Sequence, residues 1–312
     1  VLRLDVAASL AFTQLLITLA LGWFSNSLQR RASTALDLQP SSTTTPPINP
    51  KTKPTAREVA AQFFLVVLIT LLILAPLGAL VLRSLNLDDA QGPLHFYASL
   101  GENSRGSAFF VAPLVAVRNS LAFACTTAIV AVLMGIPLAY ELGNKATRTT
   151  RLLELLLLLP LGTSAITLGL GLFIAFDFPI DLRASPLMLP LAHTLLALPF
   201  VVRALLPATR AIGPTLREAA AQLGATPLQV LRFIDLPLIA KPVLAAAAFA
   251  FAISLGEFGA SLLVSRPEFP TMPIVIANLL GRPGALNYGQ AMAMCTLLML
   301  VTMTSVALSD AP

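Results

Sequence analysis

Apolar residues in this chain come in long unbroken runs rather than in alternation or on one stripe of a helix. Runs of helical length fall at 6–24, 61–82, 119–140, 152–176, 186–206, 239–263 and 288–308. An α-helix needs about 20 mostly apolar residues to cross a bilayer, and these runs are too long for strands. Several contain proline or glycine, among them Pro76, Gly135, Pro137, Pro160, Pro190 and Pro199. Inside a membrane, neighbouring helices can re-satisfy the backbone groups that such residues free. The pattern predicts an all-α fold, a polytopic membrane helix bundle. Residues 25–60 differ: they carry Pro40-Ser41-Ser42-Thr43-Thr44-Thr45-Pro46-Pro47, then Lys51, Lys53 and Pro54. That composition cannot bury a core and reads as a linker.

Composition narrows the class. Of 312 residues, 56% are hydrophobic and 11% charged, with a mean hydropathy of +0.83. Soluble domains carry about 25% charged residues. An ordinary cytosolic enzyme, a secreted domain and a disordered tail are excluded. The net charge of +5 is spread in ones and twos rather than gathered in a stripe, so nucleic acid is not an expected partner. It is better read as orientation. With residues 25–60 in the cytoplasm and the sides alternating, thirteen of the 20 Lys and Arg fall inside, and no span needs to be skipped. Cys125 and Cys295 sit in apolar runs without a CxxC pair, and His95 and His193 lack metal-ligand spacing. Neither a disulfide framework nor a metal site is expected.

The chain starts at Val1 with an apolar run close behind. We expect residues 1–29 to hold the last span of a preceding half, 30–57 a cytoplasmic linker, and 58–312 a six-span domain with both ends inside. A seven-span protein with a trimmed start is the alternative.

The most patterned polar segment is Leu216 to Pro237, LREAAAQLGATPLQVLRFIDLP, between two spans. Ala and Leu at helical spacing predict a helix from Pro214 to Leu223, ended by Gly224, which takes left-handed geometry readily. Thr226 then caps a second helix with Pro227 at its first position, running to about Ile234. Three readings are open: a DNA-binding helix-turn-helix, a plain connector, or a docking element that passes movement from a cytoplasmic partner into the bundle. Spans flank the segment within a few residues, which argues against the first.

Glu218-Ala219-Ala220, three residues, Gly224, nine residues, Ile234-x-Leu236-Pro237 resembles the EAA loop of type I, binding-protein-dependent ABC importer permeases. The resemblance extends over about 58–310, placing an EAA loop at 214–237 within a six-span permease domain. It includes Arg118-Asn119-Ser120-Leu121, Gly135-Ile136-Pro137-Leu138-Ala139-Tyr140 and Leu189-Pro190-Leu191-Ala192-His193-Thr194. Ser254-Leu255-Gly256-Glu257-Phe258-Gly259 and Phe269-Pro270-Thr271-Met272-Pro273 look most like the ferric-iron and thiamine permeases. Those are often two six-span halves fused in one chain, so the resemblance implies that this sequence is the C-terminal half of such a fused permease. The resemblance implies that Glu218 makes polar contact with a groove of an ABC ATPase dimer, that Gly224 sets the turn, and that Ala219 and Ala220 allow close approach. Ile234, Leu236 and Pro237 complete the motif. The other reading of Glu218 is a capping or solvated carboxylate near a helix start.

Further implied partners are a periplasmic or lipid-anchored solute-binding protein, a second permease half in the same chain or another subunit, and the lipid of a bacterial inner membrane. The sequence contains no G-x-x-x-x-G-K-[ST], so ATP and Mg belong to the partner ATPase. No cofactor and no enzymatic activity are expected of this chain. The rival class is a secondary transporter or channel not coupled to an ATPase, which predicts more intramembrane carboxylates.

Ionisable groups at membrane depth are costly and raise a functional hypothesis. Glu257, between Gly256 and Gly259, is a candidate for the translocation path or outer gate; the alternative is a paired structural carboxylate. His193 is either path-lining or a helix-to-helix hydrogen bonder. Asp177 and Asp181 read as a solvated turn or a binding-protein contact. A path role for Glu257 predicts impaired ATP-driven uptake into membrane vesicles for Glu257→Gln; unchanged uptake would sink it.

Overall fold

The computed structural model describes residues 13, 16, 17, 20, 56–85, 92–101, 113–144, 147–179 and 181–309. The expected span at 6–24 and the linker at 30–57 therefore lie outside the described residues, apart from the four isolated positions and Ala56 and Arg57. Among the described residues all regular structure is helical. The helices are α1 (Ala56–Ser84), α2 (His95–Ala98), α3 (Pro113–Asn144), α4 (Arg148–Gly162), α5 (Ala165–Ala175), α6 (Met188–Ala211), α7 (Pro214–Gln222), α8 (Pro227–Val230), α9 (Leu236–Leu238), α10 (Ala240–Gly256), α11 (Gly259–Val264), α12 (Met272–Leu280) and α13 (Ala285–Ser309).

Four of them, α1, α3, α6 and α13, are each long and apolar enough to cross a membrane. The number reaches six if α4 with α5, and residues 227–238 with α10, each count as one bent span. Hydropathy alone gave the runs at 152–176 and 239–263 as continuous helices, and here the structure differs. The first bends by 111° between α4 and α5. Ser164 caps the new start, its side chain accepting from the Thr167 amide at 3.2 Å. The second stops after Gly256 and resumes at Gly259. A capped break stays apolar in composition, so a hydropathy window passes over it. Helix α12 was not expected either; at nine residues it is too short to register as a span.

The centre of the bundle is built from α3, α6 and α10. Ala128, Ala131 and Ala139 of α3 meet Ala197, Val201 and Leu205 of α6 and Ala246 and Ala250 of α10, all buried. Between helices in lipid there is little hydrophobic drive, so close packing by small residues must hold them. Gly135 shows how close: a Cβ there would lie 2.5 Å from Val201 Cγ1. Two motif segments far apart in sequence also meet. Asn119 Nδ2 donates to the Pro270 carbonyl at 3.2 Å, and the Met272 amide donates to Ser120 Oγ at 2.8 Å, tying the start of α12 to α3. Helix α1 stands apart from this core and packs along α13. Its Phe63, Phe64, Leu71 and Leu72 are 63–74% exposed within this chain; lipid or another membrane-embedded chain can cover such a surface.

Valine is stiff at χ1 and cannot swing away from a new methyl. Gly135→Ala should therefore destabilise the bundle by about 1–3 kcal/mol, read as a lower thermal unfolding midpoint in lipid nanodiscs. Val201→Ala on the same background should recover much of the loss, because the two positions share one contact.

Candidate functional site

The segment 214–237 folds as two short helices around a tight turn. Helix α7 begins with Pro214 at its first position, where a missing N–H costs nothing. It ends in a Schellman motif. The Ala225 amide donates to the Ala220 carbonyl and the Gly224 amide to the Ala221 carbonyl, both at 3.0 Å, with Gly224 at φ +83°. Thr226 then opens α8 with a reciprocal box. Its side chain accepts from the Gln229 amide at 3.4 Å, and the Thr226 amide donates to Gln229 Oε1 at 2.7 Å. These ends follow the sequence expectation. The continuation does not: residues Leu231–Asp235 widen into a π-helical turn before α9, so helical backbone runs to Leu238.

That wide turn carries Asp235 inward, where it is 1% exposed. Arg217 of α7 donates through Nε to Asp235 Oδ1 at 3.1 Å, and its guanidinium lies 4.4 Å from the centroid of the Tyr140 ring on α3. One side chain thus ties the first loop helix to the second and both to a bundle helix. Burial works against the Arg217 charge, lowering its guanidinium from the ordinary value. The direct contact opposes this. Asp235 Oδ2 is buried with no hydrogen-bond partner, which makes the carboxylate depend on Arg217. A cleft of about 840 Å³ opens beside this contact, between the loop and α3, lined by Leu133, Pro137, Tyr140, Arg217, Leu231 and Asp235.

The motif residues divide by face. Ala220 is buried, and Ile234 and Leu236 are half-buried. Glu218, Ala219, Gly224 and Pro237 are exposed. Around them stand apolar side chains that the motif reading missed: Leu223 is 89% exposed and Leu228 72%, with Leu216 and Phe233 also exposed. Their hydrophobicity was visible in the sequence, but their outward direction was not. Arg217, Asp235 and Tyr140 were also missed; Arg217 and Tyr140 lie 77 positions apart in a chain where either reads as an interfacial residue.

A second constellation surrounds the break between α10 and α11. Glu257 has extended backbone. Its Oε1 accepts from the Ala260 amide at 3.0 Å and its carbonyl accepts from Ser261 Oγ at 2.8 Å. His193 is 1% exposed and lies between Ser254 and Ser261, its Nδ1 2.8 Å from Ser254 Oγ and its Nε2 3.0 Å from Ser261 Oγ. Gly259 needs to be small, since a Cβ would be 3.0 Å from Ala165 Cβ; at Gly256 nothing lies within 4 Å. The structure therefore brings Glu257, Gly256, Gly259 and His193 to one place, with the glutamate capping a helix. Elsewhere, Arg183 bridges Asp177 and Asp181 in the turn after α5. Its side chain, and then its backbone N–H, hold Asp181 below the usual carboxylate range. Among the described residues no three His, Cys, Asp or Glu gather to hold a metal.

Removing the cation from a buried pair leaves an uncompensated charge, a loss of about 3 kcal/mol or more. Arg217→Ala should lower the unfolding midpoint of the nanodisc-embedded chain more than Asp235→Asn does. The double variant should be less damaged than the sum of the two. Simple additivity would show that the pair is not coupled.

No family model matches the chain. It is similar to a Salmonella typhimurium protein named as 2-aminoethylphosphonate transport system permease protein PhnV, with 26% identity over 189 residues, 60% of this chain and 70% of that one. A Streptomyces antibioticus protein named as ABC transporter permease protein ORF1 is 32% identical over 179 residues, 57% of this chain and 78% of the relative. The thiamine transport system permease protein ThiP of Brucella abortus is 32% identical over 174 residues, covering 53% of this chain and 31% of ThiP. A crystal structure of a bacterial alginate ABC transporter in complex with an alginate pentasaccharide-bound periplasmic protein shares the fold. Its TM-score is 0.62 at 18% identity, over 81% of this chain and 92% of that one. With 32% identity over 78% of the Streptomyces relative, the chain belongs to the permeases of ABC transporters.

Proposed function

We propose that this chain is the membrane-embedded subunit of an ATP-driven importer and that the 214–237 loop, as an EAA loop, is where an ABC ATPase dimer pulls on the bundle. The observation that carries this is the build of the loop. It is capped at both helix junctions, latched to α3 through Arg217 and Tyr140, and leaves Leu223, Leu228 and Glu218 exposed to solvent. Large apolar side chains held out on a rigid, capped turn suit a protein partner, and an exposed carboxylate on the same loop adds orientation. The loop faces the cytoplasm in the orientation that the Lys and Arg distribution favours. Force applied at α7 reaches α3 through the Arg217 latch and α10 through the helical run that ends at Leu238.

In this reading ATP and Mg are used by the ATPase and none is bound here. An external solute-binding protein delivers the solute, and a second permease half completes the pore. The ThiP match, confined to 31% of that longer chain, supports a fused arrangement in which residues 1–29 end the first half. The same match supports thiamine over ferric iron as the solute to test. Both ends of the six-span domain would lie in the cytoplasm of a bacterial cell, with the chain in the inner membrane.

At Gly224 a Cβ meets nothing within 4 Å, so any cost of substitution there is backbone strain at φ +83°. Valine is a poor fit to that region, and asparagine tolerates it. Gly224→Val should therefore lose the ATPase in a pull-down of the detergent-solubilised complex, while Gly224→Asn retains most of it. Equal retention by both variants would show that the turn does not present the docking face.

A further inference from the structure

The contacts around His193 assign it a role beyond packing. Ser261 Oγ donates its single proton to the Glu257 carbonyl at 2.8 Å, leaving only lone pairs for the ring. His193 Nε2, 3.0 Å away, must therefore carry the ring proton and donate it. The hydrogen-bond partners of the ring are hydroxyls, not carboxylates, and a neutral imidazole has one N–H and one bare nitrogen. Nδ1 is then an acceptor and takes the Ser254 proton at 2.8 Å. Thr127 Oγ1 of α3 donates to the Pro190 carbonyl at 3.5 Å and lies 3.2 Å from Ser254 Oγ, which could donate there only by giving up the ring. The opposite tautomer would give up the 2.8 Å bond from Ser261 to the Glu257 carbonyl to keep the longer 3.2 Å contact from Ser254 to Thr127. The Nε2–H tautomer satisfies all three of the contacts at 3.0 Å or less.

These contacts join parts that the backbone separates. Ser254 is in α10, before the break, and Ser261 is in α11, after it. Helix α11 packs mainly on α5, itself the far piece of the span bent between α4 and α5. The two approach through small residues: a Cβ on Gly169 would sit 3.1 Å from Ala260 Cα, and one on Gly259 would sit 3.0 Å from Ala165 Cβ. Apolar contact of Val264 with Met188 and Leu189 also brings the end of α11 to α6, but such contact is non-directional and permits sliding. The histidine contacts are directional.

We propose that His193 is a positioning residue. As the neutral Nε2–H tautomer it pins α11, and with it α5, to α6 and α10, so that the far pieces of two broken spans follow the core as one body during transport. The role in transport rests on the importer reading; the pin itself does not.

The test uses the full chain in lipid nanodiscs, with hydrogen exchange followed at the amides of residues 259–264. His193→Leu, which removes both ring contacts at similar volume, should raise exchange there by about tenfold, the effect of losing one or two buried hydrogen bonds, and leave α3 unchanged. Ser261→Ala, a smaller change that cuts the α11 arm together with the Ser261 bond to the Glu257 carbonyl, should do the same. His193→Gln offers an N–H donor and a carbonyl acceptor and should restore most of the protection. Nitrogen NMR of ring-labelled histidine should show the proton on Nε2. Unchanged exchange in Ser261→Ala, no rescue by glutamine, or a proton on Nδ1 would each overturn the proposal. Ser261→Ala decides the matter should His193→Leu fail to fold. MgATP hydrolysis by the assembled complex tests the importer reading separately, since its absence with the unmodified chain would leave the exchange result intact.

Discussion

A backbone amide opened inside a bilayer has no water to bond to, and this chain interrupts its apolar helices between α4 and α5 and between α10 and α11. Each interruption is repaired from within a few residues. At the first, Ser164 accepts from the Thr167 amide while Thr163 Oγ1 donates back to the Leu159 carbonyl at 3.3 Å. At the second, the Glu257 side chain accepts from the Ala260 amide and its own carbonyl is met by Ser261. Because the repairs are local, the short pieces beyond the breaks can leave the axes of their parent helices. They pack on one another through glycine and alanine, which makes α5 and α11 a unit distinct from the α3, α6 and α10 core.

The 214–237 loop meets the same requirement where more of the chain is exposed. Gly224 and the Thr226–Gln229 box satisfy the orphan groups of a helix end and a helix start with four residues between. The ends are then stiff enough to carry force. The Arg217–Asp235 contact adds direction more than stability. Two charges removed from water gain little net energy from one another, yet either alone is costly, so the pair resists any arrangement in which the loop helices separate. Tyr140 extends that constraint to α3. A bundle that responds to a partner needs such a fixed point, since a flexible loop would absorb the movement.

The sites differ in how far they were legible. Gly224, Thr226 and Pro227 announce their geometry because a cap is decided by residues within four positions of each other. The outward stance of Leu223 and Leu228 does not show in composition. It depends on which face of α7 and α8 the bundle covers. The Asp235 side chain turns inward because of a π-helical turn, which no propensity in Leu231–Asp235 signals. The role of His193 needed both of its partners, 61 and 68 positions away, and from sequence a path-lining and a bridging histidine read alike.

By itself the sequence determined that this protein is an all-helical membrane bundle, roughly where its long helices lie, and that 214–237 forms a capped helical turn. Those properties follow from the hydropathy of windows and the chemistry of neighbours, both of which are local. Only the tertiary structure decided where two apolar runs break, which short pieces pair, which charges latch the loop and which hydroxyls hold the histidine. Each of those depends on small residues or single protons meeting across helices far apart in sequence, and a one-dimensional pattern carries no information about which helices touch.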